Sequence, residues 1–229
     1  MQNAHAQRDG CVGQIEGIPK RSSLEEIEES VSHTTKRWFV VALLVGTPVL
    51  LIGVAALAIY AGIYDVAADK PHSQPVFWLM QMVRDRSIAA HATDAVPVDL
   101  SSPKRIASGA VQYDEMCSTC HLAPGKKRTE ISWGLYPRAP ELRRASRLTP
   151  AEQFWVVKHG IKMTGMPSWG VTHDDKLLWD IVAFLRKMPE LTANEYQALV
   201  KSAPKTHEEM MQEMEMRGGH DHGDPHGQQ

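Results

Sequence analysis

The longest apolar run of the chain lies near its N-terminus. Residues 40–64 contain no charged side chain over 25 positions, which is enough for a helix to cross a hydrocarbon core of about 30 Å. Aromatic residues stand at both ends of this run, as they do where helices leave a bilayer. We therefore predict one transmembrane helix over residues 38–64, kinked at Pro48. A cleaved signal peptide would have a shorter apolar region behind a short basic start.

Basic residues precede the apolar run and acidic residues follow it. Lys36 and Arg37 stand before it, and Asp65 and Asp69 stand after it. Basic residues favour the cytoplasmic side of a membrane. We therefore predict that residues 1–37 are a cytoplasmic N-terminal segment and that the rest of the chain lies on the other side of the membrane.

Each segment that flanks the span contains a predicted helix. The cytoplasmic segment is expected to be disordered at first and helical from Ser23, which fits a capping box with Glu26. Residues 65–100 are predicted to be a juxtamembrane linker. Within it, residues 75–84 have apolar positions on one helical face, so a short amphipathic helix would either lie on lipid or pack on the following domain.

Helical patterns continue in the second half of the chain. One predicted helix begins at Pro103 and places Gly109, Tyr113 and Cys117 four residues apart on one face. A glycine within a helix costs about 1 kcal/mol relative to alanine, so Gly109 indicates a close crossing with a second helix. The predicted partner covers residues 174–187, where apolar residues recur at helical spacing.

A third helix and a proline-rich loop complete this part of the chain. Thr149 is a predicted N-cap, Pro150 is the first helical residue, and the helix runs to about His159. The stretch 136–142 contains too much proline for a helix and is predicted to be a loop. We therefore predict an all-α domain over residues 101–190.

The chemistry of this domain is indicated by Cys117, Cys120 and His121. Two cysteines three apart with histidine directly after them are typical of covalent haem attachment, where the thiols bond to the porphyrin and the imidazole ligates iron. A redox dithiol would follow a strand, and a zinc site would need a second pair of ligands. The remaining cysteine, Cys11, lies on the other side of the predicted membrane span.

A second informative stretch follows about 45 residues later. Met166 lies between Gly165 and Pro167, which allow close backbone approach to a ring and force an extended conformation. This frame favours Met166 as the residue that holds a thioether over iron. Met163 and His159 remain alternatives for that position.

These motifs resemble those of the class I c-type cytochromes, with a membrane-anchored monohaem member as the nearest type. The resemblance covers about residues 101–190 and includes the attachment motif, the helix before it, the Gly-Met-Pro turn and the closing apolar helix. It implies a small all-α fold around one covalent haem c. The implied roles are thioether linkage for Cys117 and Cys120, axial ligation for His121 and Met166, and packing of Gly109 and Tyr113 against Ile181 and Phe184.

The resemblance also implies an electron carrier rather than an enzyme, because a haem with both axial positions filled leaves no place for substrate. Haem is attached outside the cytoplasmic membrane in bacteria, which agrees with the predicted orientation. We therefore predict a respiratory-chain carrier in the bacterial inner membrane, with a single span and a periplasmic haem domain. A haem-based sensor whose sixth position opens is the alternative.

Charge indicates what kind of partner would bind. The net charge of the 229-residue chain is −2, but residues 101–173 hold 11 Lys and Arg against 5 Asp and Glu. Such an excess would steer an acidic partner surface, although an ordinary solvated face has the same composition. We expect a dehydrogenase, an oxidase or another cytochrome as partner, membrane lipid around the span, and no nucleic acid. The basic residues expected near the site are Lys126, Lys127, Arg128, Arg143, Arg144 and Arg147.

Residues 191–229 are predicted to be a Met- and His-rich C-terminal tail. Its thioethers and imidazoles could bind copper, which makes periplasmic copper handling a third function. From about Pro204 onward, the favoured interpretation is a solvated, partly helical tail with a disordered end. The residues concerned are His207, Met210, Met211, Met214, Met216, His220, His222 and His226. The isolated histidines His33, His72, His91 and His173 are predicted to be surface residues.

Overall fold

The computed structural model describes residues 21–216, without the side chains of residues 21–29, His33 and Thr34. Over this part the secondary structure is helical and no strand is present, as predicted. The chain divides into two compact units, Met1–Asp65 and Val66–Gln229. The α-helices of the described residues are α1 (Arg21–Tyr60), α2 (Gln74–His91), α3 (Pro103–Gln112), α4 (Ser118–His121), α5 (Glu130–Gly134), α6 (Pro150–His159), α7 (Asp175–Lys187), α8 (Ala193–Lys201) and α9 (His207–Met216).

Some predictions fall outside the described residues. They are the disorder expected at the start of the chain, the thiol of Cys11, the side chains of the Ser23 and Glu26 capping box, the side chain of His33, and the tail histidines His220, His222 and His226.

In the first unit, α1 is one continuous helix that includes the apolar run. Its segment Ser30–Tyr60 contains an 18-residue window with a mean hydropathy of 2.6 and is long and apolar enough to cross a membrane, judged by length and composition. The helix ends at Tyr60, so the predicted end at residue 64 was wrong by four residues. The cause is local, because Gly62 takes a φ of 66°, which a right-handed helix does not allow.

The second unit begins with α2, which is longer than the predicted amphipathic segment. Its C-terminal half is held on α6, since the ring of His91 stacks on that of Trp155 with centroids 6.0 Å apart. Ile88, one turn earlier, is 4% exposed. Of the two alternatives that the sequence leaves open, packing on the domain is therefore observed for one side of α2.

The core of the second unit is built on the crossing of α3 and α7. A Cβ atom on Gly109 would lie 1.9 Å from the backbone oxygen of Asp180, so only glycine allows this approach. One turn on, the rings of Tyr113 and Phe184 pack with centroids 5.2 Å apart. The close crossing predicted from Gly109 is confirmed.

Local capping explains where α6 and α7 begin. The Thr149 side chain accepts the N–H of Glu152, whose carboxylate accepts the Thr149 N–H in return. Asp174 accepts the N–H of Leu177 at 2.8 Å and so caps α7. Gly160 ends α6 with a φ of 65°. Both helices therefore begin and end close to where the sequence predicts.

Between residues 191 and 216, the chain contains two helices, α8 and α9, and both pack on the domain. Tyr196 of α8 is fully buried beside Phe184, with ring centroids 5.9 Å apart. In α9, Met210 and Met214 are 8% and 5% exposed and belong to a cluster with Val111 and Leu177. The expected helical part of the tail is therefore present as α9, but it is not fully solvated, because Met210 and Met214 pack on the domain. Copper binding by the tail stays a prediction.

His173 is also buried, which corrects its prediction as a surface residue. It is 3% exposed and lies between two aromatic neighbours. Its ring meets that of Trp169 edge-on at 5.5 Å and stacks on that of His207 at 5.3 Å. The burial comes from the docking of α9, a contact between distant parts of the sequence that periodicity does not reveal.

Candidate functional site

The attachment motif lies on a helix that changes its winding. After α3 the chain forms one π-helical turn, Tyr113–Cys117, before the short helix α4. The sequence predicted a regular helix through Cys117, and that detail was wrong. A π turn adds one residue to the winding and so rotates the side chains that follow. Leu122 then closes α4 with a φ of 62°.

Hydrogen bonds hold this turn in place from both ends. The Tyr113 hydroxyl donates to the carbonyl of Leu122. The Ser118 hydroxyl donates to the carbonyl of Asp114 at 2.6 Å. Burial is the main reason that the pKa of Tyr113 is raised, so its hydroxyl keeps its proton and remains a donor. These hydrogen bonds connect the π-helical turn to both ends of α4.

No disulfide joins Cys117, which is buried, to Cys120, which is half-buried. Burial, with a smaller contribution from the charge of Cys120, raises the pKa of Cys117 to about 12. A redox-active dithiol needs a lowered thiol pKa, so this environment does not match one. Among residues 21–216, no group of three or more His, Cys, Asp or Glu side chains could hold a metal ion by itself.

The imidazole of His121 is oriented for ligation. Its Nδ1 lies 2.9 Å from the carbonyl oxygen of Pro140. A carbonyl can only accept, so Nδ1 carries the proton and Nε2 keeps the lone pair that a metal needs. Burial lowers the pKa of His121 and outweighs the opposing effect of this hydrogen bond, which favours the neutral ring. The donor set fits an iron porphyrin held by Cys117, Cys120 and His121.

The loop after α6 holds Met166 in a defined backbone conformation. The N–H of Met166 donates to the hydroxyl of Thr164 at 3.1 Å, and its carbonyl accepts the N–H of Ile161 at 3.2 Å. The backbone of Gly160 lies so close that a Cβ there would be 2.7 Å from the Met166 oxygen. Met163 differs, because it has a φ of 58° and is 87% exposed.

A short helix that the sequence analysis did not predict links the motif to this loop. The N-cap of α5, Thr129, donates from its hydroxyl to the carbonyl of Thr119, within the motif, at 2.6 Å. Just after α5, the Leu135 side chain packs closely on Gly165. A Cβ atom added at Gly165 would lie 2.5 Å from Cδ2 of Leu135. The pair Thr129 and Ser132, which form a capping box, was the signal available in the sequence.

A partly buried polar network contacts the other side of the motif. Asp114 accepts from the hydroxyl of Tyr196 and forms an ion pair with Lys126. Lys126 also donates to the Ser118 hydroxyl at 2.8 Å. The network ties α8 to the π-helical turn. The sequence could have revealed α8 through its capping box of Thr192 and Glu195, but not the contact that Tyr196 makes.

Several of the basic residues expected to attract partners are paired within the domain. Glu141 lies 2.7 Å from Arg128, 2.9 Å from Arg143 and 3.9 Å from Arg144. The Arg143 hydrogen bond is the main cause of the lowered pKa of Glu141, with the charges of all three guanidinium groups contributing. Lys126 is paired with Asp114. Four of the six basic residues therefore have an acidic partner, and both acids are already included in the count of 11 Lys and Arg against 5 Asp and Glu.

One protein family matches the chain. Residues 104–185 match the family described as cytochrome c oxidase, cbb3-type, subunit III. No curated protein and no solved structure matches. The matched segment begins in α3 and ends in α7, so it contains the attachment motif and the Met166 loop but not α2, α8 or α9. The chain therefore contains a class I c-type cytochrome domain, which carries a covalently bound haem c.

Proposed function

We propose that the protein is a membrane-tethered electron carrier whose haem c is bonded to Cys117 and Cys120 and ligated by His121 and Met166. The observation that carries this proposal is the hydrogen bond of His121 to Pro140. This hydrogen bond leaves the Nε2 atom of His121 unprotonated, and His121 directly follows the second cysteine. Attachment and ligation are then supplied by one turn.

Backbone geometry supports Met166 over the alternatives as the second axial ligand. Its N–H and its carbonyl are both bonded within the loop, and Gly160 packs against it. Met163 is held outward in a left-handed conformation and lies in solvent. His159 is an exposed residue in the last turn of α6. A ligand with a fixed backbone loses less conformational entropy when it binds.

The chemistry of such a site is outer-sphere electron transfer. When bound, haem c supplies a one-electron iron couple. The residues of this chain hold both axial positions, keep the His121 proton on Nδ1 and surround the site with a packed core. A thioether ligand favours the reduced state and raises the potential relative to a second histidine. This suits an acceptor late in a respiratory chain.

Location and partners form part of the proposal. The apolar helix α1 supports a membrane anchor, and the charges beside it support a cytoplasmic N-terminus with a periplasmic haem domain. We retain the division into residues 1–37, 38–64, 65–100, 101–190 and 191–229 as a functional scheme. Because the matching family is described as an oxidase subunit, an oxidase is the first partner to test, followed by a dehydrogenase or another cytochrome.

The proposal is tested on the purified full chain with its haem. The reduced protein should show a low-spin c-type spectrum, one haem per chain and a one-electron redox titration. It should not bind carbon monoxide at neutral pH, because both axial positions are filled. Ready binding of carbon monoxide by the reduced protein would instead identify a sensor whose sixth position opens.

A further inference from the structure

The densest group of exposed apolar side chains outside α1 lies on α2. Trp78, Leu79, Met82 and Val83 are 63%, 47%, 40% and 55% exposed. At 3.6 residues per turn, these four positions fall within one sector about 140° wide. We call this sector the outer face of α2.

The rest of α2 is fixed to the cytochrome domain. Ile88 is buried and His91 stacks on Trp155 of α6. Just before the helix, the backbone N–H of His72 donates to the hydroxyl of Tyr136 at 2.7 Å. The helix is therefore held at both ends, and its outer face moves with the domain as one compact unit.

We propose that the outer face of α2 lies in the lipid interface and holds the cytochrome domain on the membrane surface. This inference rests on the proposed membrane anchor. The anchor helix ends at Tyr60 and α2 begins at Gln74. A connection of this length spans at most about 45 Å when fully extended. The outer face therefore stays within reach of the bilayer surface at all times.

The side chains of the outer face match the chemistry of that interface. Tryptophan prefers the level of the lipid headgroups, and leucine, methionine and valine would enter the acyl boundary. Arg86 falls within the same sector and is exposed, so its guanidinium can extend to headgroup phosphates while its stem covers apolar surface. Arg84 is paired with Asp85 at 2.7 Å and lies outside the sector.

Binding of this face to lipid would restrict how the haem domain can turn. A domain on a flexible tether samples all orientations, whereas a domain with an interfacial helix presents one side to the membrane. The side on which α6 and α2 meet would then face the bilayer. A membrane-bound partner would encounter a defined part of the domain surface.

The test uses the full-length haem protein in lipid nanodiscs with one copy per disc. Cys11→Ser removes the free thiol, and single cysteines for a nitroxide label are placed by Leu79→Cys or Arg84→Cys. The two side chains have similar exposure, 47% and 41%, but lie about 140° apart around the helix. Collisions with oxygen, which enters lipid, are compared with those of an aqueous nickel chelate. For each reagent, the nitroxide relaxation is compared with that of the same sample without reagent. The contribution of the haem iron to relaxation is present in both and therefore cancels.

The oxygen-to-nickel collision ratio should be several-fold higher at position 79 than at position 84. Equal ratios, or protection of position 79 from both reagents, would overturn the proposal, since the latter result means contact with protein. A third label, introduced by Leu51→Cys, reports on the anchor separately. If position 51 is in lipid and position 79 is in water, the anchor stands and the inference fails. If position 51 is in water, the anchor fails and the inference fails with it.

Discussion

At the scale of single residues, hydrogen bonds orient the two proposed ligands. The carbonyl of Pro140 sets which nitrogen of His121 carries the proton. The hydroxyl of Thr164 and the N–H of Ile161 hold the backbone of Met166. Neither effect requires a charged neighbour. Both are hydrogen bonds that restrict orientation, which is how residues beyond the ligands adjust a metal site.

The first prediction concerns the two methionines of this loop. Met166→Ala should abolish the thioether-to-ferric-iron charge-transfer band, lower the reduction potential and allow carbon monoxide to bind. Met163→Ala is the matched control and should change all three measurements little, because Met163 is in solvent. Absorption spectra and redox titrations of both variants show which methionine ligates the iron. If the two variants exchange behaviour, Met163 is the ligand, and if neither has an effect, His159 or another group is.

At the scale of helices, the crossing of α3 and α7 determines where the motif lies. Gly109 brings the two helices into backbone contact, and Tyr113 packs against Phe184 one turn later. The π-helical turn follows at once and carries Cys117 into the core. A change in the distance between these helices would therefore displace Cys117, the first of the two residues proposed to bond to haem.

The second prediction is that Gly109→Ala destabilises the protein. The added methyl group would meet the backbone of Asp180, and overpacking of this kind costs about 1–3 kcal/mol or more where backbone must shift. Gly134→Ala is the control, because a Cβ at Gly134 meets nothing within 4 Å, and it should be neutral or slightly stabilising. The free energy of unfolding is measured by denaturant titration of the full chain in detergent, followed through the haem absorbance. Equal stability of the two variants would contradict the close crossing.

At the scale of the whole molecule, ion pairs decide how much of the positive charge can act on a partner. Glu141 neutralises part of the charge of Arg128, Arg143 and Arg144. This compensation weakens the local field of the three guanidinium groups, while the net excess of 11 Lys and Arg over 5 Asp and Glu in residues 101–173 already includes Glu141. What acts at a distance is the sum of these charges, screened by salt within about 8–10 Å.

The third prediction uses this compensation. Glu141→Gln should speed oxidation of the reduced protein by anionic hexacyanoferrate(III) at low salt, on the order of threefold, and steepen the fall of the rate with ionic strength. Glu208→Gln makes the same charge change on the exposed side of α9 and should have a smaller effect. Spectra of both variants confirm that the haem site is intact. A wild-type rate that does not depend on salt would exclude a steering role for this surface.

The fourth prediction is topological. Lys36 and Arg37 before the span motivate a cytoplasmic N-terminus. In a bacterial host, a reporter that requires export should be active when fused after Pro71 and inactive when fused at Ser30. Activity at Ser30 and none at Pro71 would reverse the orientation and place the haem domain on the side where haem is not attached.

Local sequence signals predicted the elements of the cytochrome domain well. Thr149 and Asp174 begin helices where expected, because a cap needs only residues three apart. Gly109 predicted a close crossing, because a glycine in mid-helix lowers helix stability and is expected where a neighbouring backbone leaves no space for a side chain. The spacing of Cys117, Cys120 and His121 indicated covalent haem, and the family match supports this at the level of the cofactor. The ligand assignments remain proposals.

The sequence by itself determined the class of the domain, its cofactor and the main helices, because each depends on residues close together in the chain. Tertiary structure alone decided three further features: the docking of α8 and α9, the burial of His173, and the pairing of the arginines with Glu141. The docking and the burial depend on contacts between residues far apart in sequence, and Arg128 lies 13 residues from Glu141; such contacts carry no periodic or spacing signal. Arg143 and Arg144 are near Glu141 in sequence, but only the conformation of the folded loop brings their side chains to it. The orientation of His121 belongs with them, because the carbonyl that sets it lies 19 residues away in a loop whose path only the folded chain defines.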